Sequence, residues 1–412
     1  MKTVERDFLE LTKKAIRCDY SRDDSFKETD WNEVFNLANE NSIVAILFDV
    51  VKNQETLPED LKKIWDLYKF KTYVWQRRHF IALVDLLKEL NDQEIDYASF
   101  KGVVISQGYP NPSYRISADS DILVDVSDRP KVSKLIEKRG YVLNPLKTKE
   151  KVFVYYNKEI DHVIELHTSV FEDYEGGKID ILKEAGIERA DHRINCEIED
   201  NIIRTLNPTD HLIYQIFHIV KHFILEGAGI RFFTDIVLFI KKYGEEIDYE
   251  IFWKWMDKCG YTQFAENFLT VCVNYFGMDD KVLYRHENNT DPAVIEALLI
   301  DFVYRGDEEK LRSKKWMIAD EMEQFLVGKP HQAEKKSLGD IVEFLFPMPG
   351  MLDDAYGYAK EKHFLLPIAW IHRGFKKIIW LIFDRASDQK KCAIRLENRV
   401  DLLGRVGLID ED

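Results

Sequence analysis

The sequence contains no apolar run long enough to cross a membrane as a helix. A spanning helix needs roughly 18 or more consecutive apolar residues, and no segment of the chain reaches that length. The first residues, Met1–Asp7, also lack the apolar core of a signal peptide. We therefore expect a cytoplasmic protein without a membrane span. Its 412 residues, 45% of them apolar, are enough to bury a large core.

Cysteine is scarce and widely spread. The chain has five cysteines and no C-x-x-C pair: Cys18, Cys196, Cys259, Cys272 and Cys392. Disulfide scaffolds and zinc knuckles both need cysteines at close, regular spacings. The observed spacing argues against both kinds of site, so we expect reduced thiols.

The chain also has fewer basic than acidic residues. Lys and Arg number 58 against 73 Asp and Glu, which gives a formal net charge of -15. Proteins that bind nucleic acid usually present a basic face, because much of their affinity comes from neutralising phosphates. The small basic clusters at 312–315, 335–336 and 373–377 are more typical of solvated surface. The composition therefore argues against a nucleic-acid partner.

One stretch combines the features of a metal site. Asp119 and Asp121 open a predicted strand, and the apolar run Ile122–Val124 indicates that this strand is buried in a sheet. Because side chains alternate along a strand, both carboxylates point to one face while Ser120 points to the other. Two such carboxylates in a pocket repel each other unless a cation joins them, and Mg²⁺ is the usual oxygen-binding choice. The pair therefore predicts a magnesium site.

The residues before this pair add groups suited to phosphate. Lys101 and Gly102 follow a β-prone stretch and precede the apolar residues Val103–Ile105, which places a glycine at the start of a predicted helix. A helix N-terminus carries free N–H groups and partial positive charge, both of which suit a phosphate. Lys101 adds a point charge, and Arg115, four residues before Asp119, adds a forked one. We predict that these residues contact the phosphates of a nucleotide.

Together these motifs resemble a known protein family. The pattern is Lys-Gly, a helix, R-x-x-x-D-x-D-I-L-V over residues 115–124 and an I-E-L-H strand at 164–167. It is similar to the nucleotidyltransferase-like proteins of the DNA polymerase β superfamily, and within them to a bacterial family of uncharacterised nucleotidyltransferases. The resemblance is specific over residues 95–170. It extends more loosely to residues 210–240 and to the C-terminal segments LFPMPG and LLPIAWIHR.

The resemblance implies transfer of a nucleoside monophosphate from an NTP to a hydroxyl, with two Mg²⁺ ions held by three carboxylates. Carried onto this sequence, Asp119 and Asp121 are the first two carboxylates and Glu165 is the third, all three both catalytic and metal-binding. Glu165 shares a predicted strand face with His167, opposite a buried face. Asp161 is the alternative third carboxylate. His167 is expected to orient Glu165 or the substrate.

A second group of candidates lies downstream. Apolar residues recur at helical spacing over 212–223, which predicts a packed helix with Asp210 as its N-cap. His218 and His222 lie four residues apart on one face of this helix. That spacing suits a metal. No third ligand accompanies them at a fitting spacing, however, which favours core or pocket histidines.

Arg231 and Asp235 have the same i, i+4 spacing at the start of the next predicted helix. The spacing alone is equally compatible with a helix-surface ion pair and with a site. The family resemblance, in which similar positions recur, implies that these two residues and the two histidines wall the nucleotide or acceptor pocket.

The periodicity divides the chain into three parts. Residues 1–92 are predicted to form a helical lobe, with Thr29 or Asp30 capping one helix. Residues 93–200 alternate strands and helices, and residues 201–412 are mainly helical. The predicted fold class is α+β. It comprises a polymerase β-like nucleotidyltransferase core, with a mixed sheet and flanking helices, embedded in a largely α-helical chain.

The expected function is Mg²⁺-dependent transfer of an NMP from an NTP, with ATP among the candidate donors, to a hydroxyl of a small molecule, peptide or protein. Two alternatives stay open. One is a non-catalytic nucleotide-binding or interaction module derived from this fold, which would tolerate loss of the metal. The other is a toxin-like tRNA nucleotidyltransferase, which would need a basic groove beside Asp119. Three carboxylates within reach of one cation would favour catalysis, whereas a distant Glu165 would favour the module.

Overall fold

The computed structural model describes residues 1–171, 183–225, 227–283, 290–305 and 399–408. The chain forms two compact units, Met1–Glu323 with Arg405–Asp412 and Gln324–Gly404. In the second unit the described residues, 399–404, are helical. The basic clusters, Cys392 and the segments LFPMPG and LLPIAWIHR named above lie outside the described residues.

Four helices precede the first strand: α1 (Thr3–Arg17), α2 (Trp31–Glu40), α3 (Val44–Val51) and α4 (Glu59–Asp92). The side chain of Asp30 caps α2 by accepting from the backbone N–H groups of Asn32 and Glu33. Of the two predicted caps, Asp30 is therefore the one used. Helix α4 is 34 residues long, and its C-terminal half packs on the sheet that follows.

The middle of the chain alternates strands and helices, as predicted: β1 (Tyr97–Phe100), α5 (Gly102–Ile105), β2 (Asp119–Val124), α6 (Arg129–Lys138), β3 (Val142–Leu143), β4 (Val152–Asn157) and β5 (His162–His167). The five strands form one sheet in the order β1-β2-β5-β4-β3. Strands β2 and β5 are parallel, and the other neighbours are antiparallel. This mixed sheet with flanking helices confirms the α+β class.

The two faces of the sheet carry different side chains. On one face, Ile122 and Ile164 belong to a buried core that also contains Leu87 of α4 and Ile136 of α6. Because side chains alternate along each strand, the neighbours of these residues point to the opposite face. That second face carries the polar residues at the start of β2 and along β5.

A second, two-stranded sheet was not predicted from the sequence pattern. Strands β6 (Arg193–Ile198) and β7 (Asn201–Leu206) form an antiparallel hairpin, and Ile198 and Ile203 pack into the core beneath the main sheet. The predicted boundary at residue 200 falls in the turn of this hairpin. The three-part division of the chain stays a prediction.

Between the hairpin and residue 305 the described α-helices are α7 (Pro208–Leu225), α8 (Arg231–Tyr243), α9 (Tyr249–Lys258), α10 (Thr262–Phe276) and α11 (Pro292–Val303). Helix α7 begins before Asp210, so the predicted N-cap was wrong. The side chain of Asn207 accepts from the N–H of Asp210 at 3.0 Å, and Pro208 occupies the first helical position, where its missing N–H costs nothing. Within the described chain, no helix has both the length and the apolar content to span a bilayer.

Candidate active site

Two parallel strands bring the predicted acidic residues together. Asp121 on β2 lies in register with Glu165 on β5. His167 follows two residues later on the same strand face. The ligand atoms of Asp121, Glu165 and His167 all lie within 4.8 Å of one another, and in the described part of the chain this is the group that has metal-binding composition. Asp119 begins the same strand two residues before Asp121.

The environment of Asp121 fits a cation. Its side chain is 1% exposed, and its Oδ1 accepts from Lys101 Nζ at 2.6 Å and from His167 Nε2 at 3.0 Å. Burial alone would raise the pKa of Asp121, but the Lys101 charge and the His167 hydrogen bond lower it to about 2. The other oxygen, Oδ2, is buried without a hydrogen-bond partner. An ionised oxygen left in this state is costly, and a bound Mg²⁺ would satisfy it.

The pKa of Asp119 shifts in the opposite direction from that of Asp121, although both side chains lie on one strand face. Burial raises the pKa of Asp119 above its ordinary value, and repulsion from the charge of Asp121 raises it further. The hydroxyl of Ser117 donates to its Oδ1 at 3.3 Å. Asp119 is not part of the group whose ligand atoms lie within 4.8 Å of one another, but an added positive charge would relieve its repulsion from Asp121.

The structure separates the two candidates for the third carboxylate. Glu165 lies beside Asp121, and its side chain is 27% exposed, so it can meet a substrate. Asp161 instead is exposed in the turn before β5, where Tyr156 Oη donates to its Oδ1 at 3.0 Å. Of the two, Glu165 is therefore the one that joins the acidic group.

His167 contacts both carboxylates. Its Nε2 lies 3.0 Å from Asp121 Oδ1 and 3.6 Å from Glu165 Oε2. Burial would lower the pKa of His167, but the hydrogen bond to Asp121 and the nearby Glu165 carboxylate raise it overall. Because a carboxylate oxygen can only accept, Nε2 carries a hydrogen and donates. His167 therefore holds Asp121 by a hydrogen bond and lies beside Glu165, and the expectation that it orients Glu165 or the substrate stays a prediction.

Lys101 lies against the acidic group through its side chain. Its ammonium lies 2.6 Å from Asp121 Oδ1, and the charge of Asp121 outweighs the effect of burial, so the pKa of Lys101 is well above its ordinary value. Its backbone N–H donates to Nε2 of His211 on α7 at 2.9 Å. His211 was not among the predicted site residues. His211 lies one turn before Tyr214 and two turns before His218 on the same helix face, and this spacing is the signal that could have identified it.

Arg115 has a buried partner that the sequence did not predict. Its Nε and Nη2 donate to the two oxygens of Asp235 at 2.8 and 2.9 Å, and Tyr109 Oη donates to the same carboxylate at 2.7 Å. Arg231 instead donates to the carbonyl of Ile116 at 2.6 Å. The helix-surface ion pair considered for Arg231 and Asp235 was therefore wrong, because Asp235 faces inward on α8, where the guanidinium of Arg115 reaches it.

A pocket opens beside Asp119, between α4 and the segment that runs from Gly102 to Ser120. Arg115 and Ser117 contribute to its lining, and Arg115 Nη1 is buried without a hydrogen-bond partner. A Cβ atom at Gly102 would lie 2.8 Å from Ser117 Oγ, so the absence of a side chain there keeps the loops in contact. The pocket thus places an unpaired cationic donor close to Asp119.

The predicted histidine pair on α7 packs as aromatic rings. The rings of His218 and His222 lie 4.4 Å apart and nearly perpendicular, and Phe232 packs against His222 at 5.4 Å. Burial lowers the pKa of His218 well below its ordinary value, and the nearby His222 lowers it further. Among the described residues, no third ligand joins these two histidines. The structure therefore agrees with pocket or core histidines.

Comparison with known proteins gives one family match. The model of a family described as uncharacterised nucleotidyltransferase matches residues 27–277, a range that contains every predicted site residue. No curated protein matches the chain.

Two solved structures show low similarity. The first is the solution structure of the antibiotic-resistance factor ANT(2'')-Ia, at 9% identity and a TM-score of 0.32, covering 43% of this chain and 91% of that one. The second is an antigenic nucleotidyltransferase-like protein from Paracoccidioides brasiliensis, at 12% identity and a TM-score of 0.31, covering 51% of this chain and 97% of that one.

Proposed function

Because this chain belongs to the family of uncharacterised nucleotidyltransferases, we propose that it uses Mg²⁺ to transfer an NMP from an NTP to a hydroxyl. The acceptor would be a small molecule, peptide or protein. The observation that supports the proposal most strongly is the convergence of Asp121 and Glu165 from two parallel strands, with one oxygen of Asp121 buried and unpartnered. A purely structural acidic residue would be expected to have both oxygens paired or solvated.

The residues that would hold the metal are Asp119, Asp121 and Glu165, as carboxylate oxygens are the ligands that Mg²⁺ prefers. Two Mg²⁺ ions, when bound, supply positive charge that neutralises the carboxylates and the phosphates of the nucleotide. His167 donates to Asp121 through Nε2, with Glu165 3.6 Å from the same nitrogen. Its role is therefore to orient the carboxylates, and its contact with them leaves Nε2 unavailable to a nucleotide.

The reaction joins the acceptor oxygen to the α-phosphorus of the NTP. The bond between that phosphorus and the oxygen bridging to the β-phosphate breaks, and pyrophosphate leaves with the electron pair. The acceptor hydroxyl loses its proton, and Glu165 is placed to take it. It is the more exposed of the two acids in register, at 27% against 1% for Asp121, so it is the one that an entering hydroxyl can reach.

We assign the donor nucleotide to the side of the acidic group on which the pocket beside Asp119 opens, and Glu165 faces the acceptor in this scheme. Arg115 Nη1 supplies an unpaired buried donor there, and Lys101 supplies an ammonium next to Asp121. These two groups would donate to phosphate oxygens, although each already has a carboxylate partner, Asp235 for Arg115 and Asp121 for Lys101. Asp235 and Arg231 hold Arg115 and the carbonyl of Ile116 in the segment that borders this pocket, whereas His218 and His222 are not among its lining residues.

A non-catalytic nucleotide-binding module is the second candidate, and one observation favours it. The Lys101 ammonium already neutralises Asp121 at 2.6 Å, as a cation would. A tRNA-directed role has less support. The cations that line the pocket within the described residues are Arg77 and Arg115, which pair with Glu199 and Asp235, so they do not form a basic groove.

The test is binding of the four NTPs to the native chain with and without Mg²⁺, compared with Asp119→Asn/Asp121→Asn. Mg²⁺-dependent binding that the double variant abolishes is the expected result, and it identifies the donor for an acceptor search. A matched control is Glu197→Gln/Asp200→Asn, which removes the same charge from exposed positions of the β6–β7 hairpin. The control should bind as the native chain does.

Two results would contradict the catalytic proposal. One is an absence of NTP binding to the folded native chain. The other is binding that responds neither to Mg²⁺ nor to the loss of both carboxylates, which would favour the non-catalytic module.

A further inference from the structure

Lys101 has a backbone conformation that residues with side chains rarely adopt. Its φ is 57° and its ψ is -116°, a region in which the Cβ atom clashes with the backbone and which glycine occupies at much lower cost. Such strain persists where surrounding contacts determine the conformation. The contacts made by Lys101 therefore identify what holds it there.

Two polar contacts hold Lys101, one at each end of the residue. The backbone N–H donates to His211 Nε2 at 2.9 Å, and the ammonium donates to Asp121 Oδ1 at 2.6 Å. The backbone contact fixes the direction in which the side chain leaves the chain.

His211 is built to accept this hydrogen bond. Its side chain is fully buried on α7 and packs against Phe239, with the ring centroids 4.9 Å apart. Burial, with the nearby charge of Arg115, lowers the pKa of His211 to about 3, so the ring is neutral near neutral pH. Since the N–H of Lys101 can only donate, Nε2 is the bare nitrogen and Nδ1 carries the hydrogen.

The same helix also contacts the other end of Lys101. Tyr214, almost one turn after His211, places its ring centroid 5.7 Å from the Lys101 ammonium. Its ring also packs against Phe100, the residue before Lys101, at 5.2 Å between centroids. Helix α7 thus contacts both ends of Lys101, the backbone through His211 and the ammonium through Tyr214.

We infer that His211 is a positioning residue, which accepts the backbone N–H of Lys101 and thereby holds the left-handed conformation that aims the ammonium at Asp121 and the nucleotide phosphates. The part of this inference that concerns phosphates rests on the proposed function. The part that concerns the backbone of Lys101 does not.

The test compares His211→Gln, whose amide oxygen can accept the N–H of Lys101, with His211→Leu, which fills the position without an acceptor. We expect His211→Gln to keep native Mg²⁺·NTP affinity and His211→Leu to lose about tenfold, the effect of misplacing one charged contact. Lys101→Met should lose as much, and Lys101→Met/His211→Leu should lose no more than either single variant. A role limited to filling the core predicts the reverse order, with the leucine variant closer to native.

A second measurement does not depend on nucleotide binding. Exchange of the Lys101 backbone amide, followed by NMR or mass spectrometry, should be faster in His211→Leu than in the native chain and in His211→Gln. If His211→Leu does not fold, His211→Asn replaces it, because this shorter amide is similarly polar but does not reach Lys101. Equal protection in the Gln and the Leu or Asn variants would overturn the inference. An absence of NTP binding to the native chain would instead count against the proposed function.

Discussion

Arg115 and Asp235 form a buried ion pair between residues 120 positions apart. Nε and Nη2 of Arg115 donate to the two carboxylate oxygens of Asp235 at 2.8 and 2.9 Å, and the side chains are 7% and 4% exposed. The pair joins the segment before β2 to helix α8. Because Asp119 follows Arg115 by only four residues, this contact anchors the approach to the acidic group.

Removing one partner of this pair should be costly. We expect Asp235→Asn to lower the free energy of unfolding by about 3 kcal/mol, because it leaves the Arg115 charge buried without its counter-charge. Urea denaturation followed by circular dichroism measures the loss. The control is Asp191→Asn in the exposed pair with Arg189, whose side chains are 61% and 66% exposed, where the loss should be at most about 1 kcal/mol. Similar losses in both variants would show that the Arg115–Asp235 pair contributes no more than a surface contact.

The partnership of Arg115 and Asp235 could not be predicted from the sequence. The spacing of Arg231 and Asp235 is visible in the sequence, but periodicity describes neighbours along one helix and carries no information on a partner from a distant loop. Strand alternation is different, since it fixes the face of each residue. Asp119 and Asp121 could therefore be assigned to one face, and Glu165 to the matching face of its own strand, before the two strands were known to be adjacent.

Backbone conformation was the other feature that the sequence did not indicate. Lys101 was predicted to contact phosphate as part of a helix N-terminus, and a lysine with positive φ has no local signature. The β6–β7 hairpin was missed for a related reason. Its turn residues Glu199 and Asp200 both have positive φ without a glycine, so the usual hairpin signal was absent.

The buried His162 should make stability depend on pH. Its Nε2 lies 2.9 Å from Ser120 Oγ and its Nδ1 lies 2.6 Å from Tyr141 Oη, behind the strand that carries the two aspartates. Burial, with the nearby His79, lowers the pKa of His162 to about 3. The unfolded chain therefore takes up a proton at His162 near pH 6.5, whereas the folded chain does so only near pH 3. Stability from this residue is complete above the unfolded pKa and is lost as pH falls toward the folded one.

The measurement is the free energy of unfolding from pH 7.5 to pH 4 for the native chain and for His162→Gln. We expect the native chain to lose up to about 1.4 kcal/mol per pH unit more than the variant below pH 6, which is the contribution of one proton. Parallel curves for the two proteins would show that His162 titrates alike in the folded and unfolded states.

The third carboxylate can be tested by a pair of substitutions on one strand and its preceding turn. Glu165→Gln should lower the rate of nucleotidyl transfer by about 100-fold or more, because it removes both a metal ligand and the group placed to take the hydroxyl proton. Asp161→Asn should leave the rate within about twofold of native, as Asp161 is exposed in the turn and contacts Tyr156. Single-turnover assays with the donor identified by binding measure both rates. The opposite order of effects would make Asp161 the third carboxylate.

In the nucleotide-free protein, Lys101 and Mg²⁺ should compete for Asp121, because the ammonium already occupies Oδ1 at 2.6 Å while Oδ2 remains unpartnered. In the proposed Mg²⁺·NTP complex the phosphates would give the ammonium a second partner. Without metal, Lys101→Met leaves Asp121 buried with His167 as its remaining side-chain hydrogen-bond donor, and we expect a loss of about 3 kcal/mol. A ligand that binds the folded protein stabilises it by RT ln(1 + [L]/Kd), so at one Mg²⁺ concentration the stabilisation increases with Mg²⁺ affinity. Mg²⁺ should therefore raise the Tm of Lys101→Met by more than it raises that of the native chain.

Thermal unfolding with and without Mg²⁺, at constant ionic strength, measures this difference. Lys101→Met/Asp121→Asn is the control, since removing the shared carboxylate should abolish the extra response to Mg²⁺ while the rest of the site is unchanged. An equal Mg²⁺ response in the native chain and in Lys101→Met would mean that the ion and the ammonium do not share Asp121. The metal would then be held by Asp119 and Glu165 alone, and Lys101 would neutralise Asp121 in the metal-bound protein as well.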